Sequence, residues 1–202
     1  MKFFNFLAIA LSLYFFTAST NLKAQTNSVN NSKVKKTAAS KEEVSPDSFI
    51  SRYYELNDTY PRLTNLSGHY ASSSYSKEEF IKRYNQIKAA YPKLTSAFGN
   101  YAACDYSLED FIKRYYEIKD TYPVLTKYFG YYAGCHHDLI EFIKRYNEIR
   151  ASAPDLTEFY PQYAASDNTL PEFSARYYGV KASDTGMKNC FGDYAGSTKK
   201  LS

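Results

Sequence analysis

The amino-acid sequence predicts an all-α fold, a solenoid-like array of five helical hairpin repeats of 31 residues each. Three observations carry this reading. Phe49, Phe80, Phe111, Phe142 and Phe173 are spaced by 31 residues with no insertion or deletion. With that Phe as position 0, Arg at +3, Tyr at +4, Tyr at +21 and Ala at +22 recur in every copy. The mostly apolar and aromatic residues at 0, +4, +7 and +11 then lie in one arc at about 100° per residue, as an amphipathic helix requires. Spacing this strict belongs to arrays in which each unit covers its neighbour's apolar face.

Residues 1–24 are chemically distinct: Lys2, an almost unbroken apolar run from Phe6 to Phe16, then Thr17 to Ala24. An apolar core of roughly ten residues suits a secretory signal peptide and falls short of the roughly 20 needed to span a bilayer. Cleavage is expected after Ala24, with Ala18 as the second candidate. The mature chain is expected to be secreted or periplasmic, without a membrane span. Residues 25–44 (QTNSVNNSKVKKTAASKEEV) carry no aromatic residue and little to bury, so a disordered leader is expected. The repeats occupy 45–198, with units starting near 45, 76, 107, 138 and 169, and 199–202 form a short tail.

Within a repeat, position −4 holds a residue suited to capping (Ser45, Ser76, Ser107, Asp138, Thr169). Position −1 is acidic in four copies (Glu79, Asp110, Glu141, Glu172), which is capping-box spacing, so the first helix should start near −3. Proline at +12 (Pro61, Pro92, Pro123, Pro154) stops that helix and suits the first position of a second one. The second helix is expected to run about two turns. Position +19 is Gly in four copies and Pro161 in the other, which reads as a break rather than a left-handed turn. A short helical segment should follow, carrying the invariant Tyr and Ala, with the small Ala marking close contact between units.

The first repeat is serine-rich after Gly68, and the fifth lacks the proline and gains Gly179, Gly186 and Asn189. These departures suit solvent-facing end caps of an open stack. In general design, residues 45–196 resemble the helix-turn-helix repeat class that includes tetratricopeptide and Sel1-like repeats. The period is shorter than the usual 34 or so, and the tetratricopeptide signature residues do not map onto it.

The chain has 25 basic and 21 acidic residues, but the excess lies in the leader and signal, and from Ser45 onward the charges balance. A nucleic-acid module would show a basic excess on its folded part, so that partner class is set aside. Three scattered cysteines build neither a disulfide framework nor a zinc site, and neither a metal nor a cofactor is expected. Cys104 and Cys135 share position +24 in consecutive units and are the candidate pair for a disulfide bridge. The His136, His137 and Asp138 cluster is not repeated, but it lacks a third ligand and reads as a surface loop.

The candidate binding residues are Arg52, Arg83, Arg114, Arg145 and Arg176, with Tyr54, Tyr116 and Tyr178. Stacking would align the guanidinium groups into a ladder suited to carboxylates, peptides or acidic sugars. The structural alternative is an i,i+4 ion pair between each Arg and the acid at −1, worth about 0.2–0.5 kcal/mol. The expected function is a non-catalytic scaffold for a protein or peptide partner. Polysaccharide recognition through the Tyr and Arg ladder, and self-assembly, are the alternatives.

Overall fold

Short polar side chains start the long helices, because each accepts a hydrogen bond from an otherwise unpaired first-turn amide. The computed structural model describes residues 46–183, 186, 187 and 190–202. The expected signal peptide, the leader and the Ser45 cap lie outside the described residues. Helix α1 (Phe49–Thr59) is capped by Ser48, three residues later in the repeat than the caps of the other units. Ser76, Ser107 and Asp138 cap α3 (Lys77–Ala90), α5 (Leu108–Thr121) and α7 (Leu139–Ser152) at the expected position. Only α9 (Leu170–Ala182) has the reciprocal box, with Glu172 accepting from the Thr169 amide at 2.9 Å. Glu79 and Glu141 instead pair with Lys82 and Lys144, both at 3.0 Å, and not with the arginines.

After each of the first four long helices the chain turns before re-entering helix. Two 3₁₀ stretches start on proline, Pro61–Leu66 and Pro154–Phe159, and two shorter ones lie at Thr95–Ala97 and Thr126–Tyr128. A six-residue α-helix closes each unit: α2 (Ser67–Ser72), α4 (Phe98–Ala103), α6 (Phe129–Gly134), α8 (Tyr160–Ala165) and α10 (Phe191–Gly196). Position +19 lies inside these short helices, so it is not the expected break. Position +11 is the C-cap of the first four long helices, where Tyr60 and Tyr122 are exposed while Tyr91 and Ala153 are half-buried at the edge of the core. The buried stripe is 0, +4 and +7, with Phe49, Phe80, Phe111, Phe142 and Phe173 all fully buried.

The ten α-helices among the described residues pack in adjacent pairs, each long helix on the short helix of its own unit. The short helices also pack on one another in sequence, α2 on α4, α4 on α6, α6 on α8 and α8 on α10. Helix α10 then packs on α2. The array is therefore a closed ring rather than an open solenoid, and the first and fifth units are not solvent-facing caps.

The invariant tyrosine explains how one unit engages the next. The +21 ring meets the next unit's Phe edge to face, at 5.4 Å for Tyr70–Phe80, 5.3 Å for Tyr101–Phe111, 5.4 Å for Tyr132–Phe142 and 5.5 Å for Tyr163–Phe173. Tyr194 meets Phe49 of the first unit in the same way, at 5.3 Å. Residues from the fourth, fifth and first units accordingly share one apolar cluster.

The last residues complete the closure. In units two to five the Phe amide donates to the carbonyl four residues earlier, as Phe80 does to Ser76 at 3.0 Å. Phe49 donates instead to Lys200 at 2.9 Å, and Ile50 to Leu201 at 3.1 Å. The tail supplies the carbonyls of the turn that α1 lacks. Leu201 packs on the shared cluster, and Lys199 Nζ reaches Asp47 at 2.8 Å.

Candidate functional site

A central cavity of about 220 Å³, open to solvent, is lined by residues of all five short helices and the turns that follow them. Position +20 contributes one residue from every unit: His69, Asn100, Tyr131, Gln162 and Asp193. Its neighbours at +21 and +22 never vary, yet +20 carries five different polar side chains. The repeated residues build the ring, and the unrepeated ones furnish its axis.

Position +19 makes room for them. A Cβ on Gly68 would stand 2.1 Å from Asp193 Oδ2, one on Gly99 2.2 Å from His69 Cδ2, and one on Gly130 2.5 Å from Asn100 Oδ1. The side chains of Asp193, His69 and Asn100 thus rest on the backbone of the next unit, and glycine is needed there for that close approach, not for a special φ.

The axis is polar and incompletely paired. Gln162 Nε2 donates to the Tyr131 hydroxyl at 3.0 Å, and the His69 and Tyr131 rings lie 5.9 Å apart. Asn100 is 8 % exposed, and among the described residues its Oδ1 has no hydrogen-bond partner; Gln162 Oε1 is also buried and has none there. Among the described residues no hydrogen bond or ion pair reaches the Asp193 carboxylate. Burial pushes its pKa up from the ordinary carboxylate range, partly offset by His69. The same carboxylate helps to raise the Tyr131 hydroxyl and the Cys190 thiol, where burial is the main cause.

That arrangement fixes a sign. A carboxyl whose folded pKa is raised binds its proton more tightly in the folded state, so its contribution to stability is lost as pH rises from the unfolded value, about 3.9, through the folded one. Asp193→Asn should therefore be more stable than the native chain at pH 7, by about 1–3 kcal/mol, with the difference vanishing toward pH 3. Paired denaturant titrations from pH 3 to 8 check this, since the oppositely shifted carboxyls of Asp47, Glu55 and Glu172 are common to both proteins. A difference that does not change with pH would refute it.

The expected arginine ladder takes another form. Each Nη2 donates to the +21 carbonyl of its own unit, at 3.1 Å (Arg52), 3.1 Å (Arg83), 2.9 Å (Arg114), 3.2 Å (Arg145) and 3.0 Å (Arg176). It also donates to the +26 carbonyl, at 2.6–2.8 Å. The guanidinium lies over the +21 tyrosine ring, 4.2–4.4 Å from its centre. The five arginines thus clamp the end of each short helix to the segment leading onward. The five sets of contacts are equivalent from unit to unit.

Tyr54, Tyr116 and Tyr178 are 39 %, 39 % and 46 % exposed and do not line the cavity. Tyr54 and Tyr178 belong to units that adjoin across the closure, with Tyr116 two units from either. The Tyr178 hydroxyl donates to Asp155. The expected Cys104–Cys135 bridge is not formed. Both thiols are free and buried, each donating to the +21 carbonyl of its own unit, at 3.4 and 3.3 Å, and each therefore turned into its own repeat. Burial raises the Cys135 pKa to about 11. His136 lies 4.0 Å from Asp105, and His137 Nε2 sits 2.8 Å from the Ser166 carbonyl, so both histidines bridge neighbouring units. Among the described residues no group of three or more His, Cys, Asp or Glu is placed to hold a metal, and no helix is long and apolar enough to cross a membrane.

Comparison of the chain with protein-family models, with curated proteins and with solved structures finds no match.

Proposed function

We propose that this chain is a secreted or periplasmic, non-catalytic binding protein whose ligand site is the cavity on the ring axis. The observation that carries the proposal is the contrast at position +20. In a frame repeated five times, the +20 side chains that meet at the centre differ in every unit while the flanking +21 and +22 residues do not, and all five are polar. Two of them, Asn100 and Gln162, also bury an oxygen with no partner among the described residues, so the centre is polar without being fully paired. A cavity with a few convergent polar groups is the usual form of a small-molecule site. Closure also removes the extended concave face that an open stack would offer to a peptide.

The side-chain amides of Asn100 and Gln162 are direct reporters. In an NMR screen of the mature protein against a library of small polar molecules, hits are expected to shift those two amides before any signal of the outer wall. Hits that perturb only the surroundings of Tyr116 would reject the axial site.

A second reading, with a protein, peptide or polysaccharide docked on the outer wall, draws support from the exposed Tyr54, Tyr116 and Tyr178. The same screen with a peptide and a glycan panel addresses it.

A further inference from the structure

We infer that the axial cavity binds a small organic cation, a compact ammonium or guanidinium compound, with the Asp193 carboxylate as its counter-ion. The inference rests on the axial site proposed above and names its ligand class. Charge is the first argument. Asp193 is the acidic residue of the lining, and among the described residues no lysine or arginine lines the cavity. His69 is the basic residue there, and it makes no ion pair with Asp193 among the described residues. A carboxylate held in such surroundings favours a cation that enters from solvent, because buried charges are stable only when paired and hydrogen-bonded.

Hydrogen bonding points the same way. The lining hydroxyls of Ser72, Ser166 and Ser197 already donate to carbonyls of their own units. Among the described residues Asn100 Oδ1 and Gln162 Oε1 accept nothing, but both are buried against the protein. The Asp193 carboxylate is therefore the acceptor that the lining offers to a guest, and it suits a ligand with two or more N–H groups. The Tyr131 ring also lines the cavity, and a tyrosine face attracts cations. Size limits the choice. At roughly 30 Å³ per water the cavity holds about seven waters, which suits a molecule of a few carbons rather than a polymer.

The test uses matched pairs that differ in charge and little else: methylguanidinium with methylurea, and ethylammonium with ethanol. Titration calorimetry on the mature protein at pH 7.5 is expected to show one site per chain for a cation, with its neutral partner at least tenfold weaker. Asp193→Asn, which should fold at least as stably as the native chain, is expected to weaken the cation at least tenfold and leave the neutral partner unchanged. Potassium chloride alone serves as the inorganic arm, and a lysine-containing tripeptide tests whether the cation can be presented on a peptide. Binding of potassium in place of the organic cations overturns the inference, as does organic-cation binding that survives Asp193→Asn. A neutral molecule that shifts the Asn100 and Gln162 amides whatever stands at residue 193 also overturns it, while leaving the axial site intact. If no compound shifts those amides, both fail together.

Discussion

Removal of residues 199–202 is expected to lower the melting temperature by more than 10 °C and to abolish hydrogen-exchange protection at Phe49 and Ile50. Those two amides are first-turn donors of α1, and their partners are the carbonyls of Lys200 and Leu201. The deletion also removes the acceptor of Arg176 at Lys199, the Lys199–Asp47 pair and the packing of Leu201. Two orphaned amides and a lost guanidinium contact cost about 1–3 kcal/mol each, and for a chain of this size each kcal/mol corresponds to about 2–4 °C. The exposed surface-pair contribution is small and adds little. Differential scanning calorimetry and exchange at the two amides measure the effect. A truncated chain that melts like the full one would show that the first and fifth units do not depend on the tail for their contact.

Arg114→Ala is expected to destabilise the protein by about 3 kcal/mol or more. One nitrogen, Nη2, serves the Tyr132 carbonyl at 2.9 Å, the Cys135 carbonyl at 3.0 Å and the His137 carbonyl at 2.6 Å. Charged hydrogen bonds are worth about 1.5–3 kcal/mol, and their loss strands carbonyls that few other groups can reach. The ring of Tyr132 also loses the cation above it, at 4.3 Å. Urea unfolding should show a lower midpoint with an unchanged slope. If the residue instead held a ligand on the surface, the midpoint would stay where it is and binding would fall.

The same arginine shows where sequence reading succeeded and where it stopped. Periodicity made the hairpins legible, together with their caps and the buried Phe at position 0, because a helix must bury one stripe and pair its first amides whatever surrounds it. Invariance at +3 suits both a binding ladder and an ion pair internal to the frame. The structure spends it on the frame, since a guanidinium long enough to span a helix end and the following turn is as necessary to a repeat as its apolar core.

The informative position was +20. His69, Asn100, Tyr131, Gln162 and Asp193 stand between an almost constant glycine and a constant tyrosine, but positions +13 and +17 also differ in all five copies, so variation alone does not single out the slot that faces the axis. Closure had a signal as well. Leu201 falls at −3, where Leu108, Leu139 and Leu170 begin the later long helices, and α1 lacks that turn. What could not be read was the angle between units. It depends on how closely the short helices approach, and that follows from the glycines at +19 only when their neighbours are known.

Five unlike side chains around an axis form a handed arrangement, because their rotational order is not superposable on its reverse. Exchanging the +20 residues of two units would conserve the composition of the centre and alter only its cyclic sequence. A ring built this way can distinguish mirror-image guests, and it can be re-furnished one spoke at a time without revising the wheel.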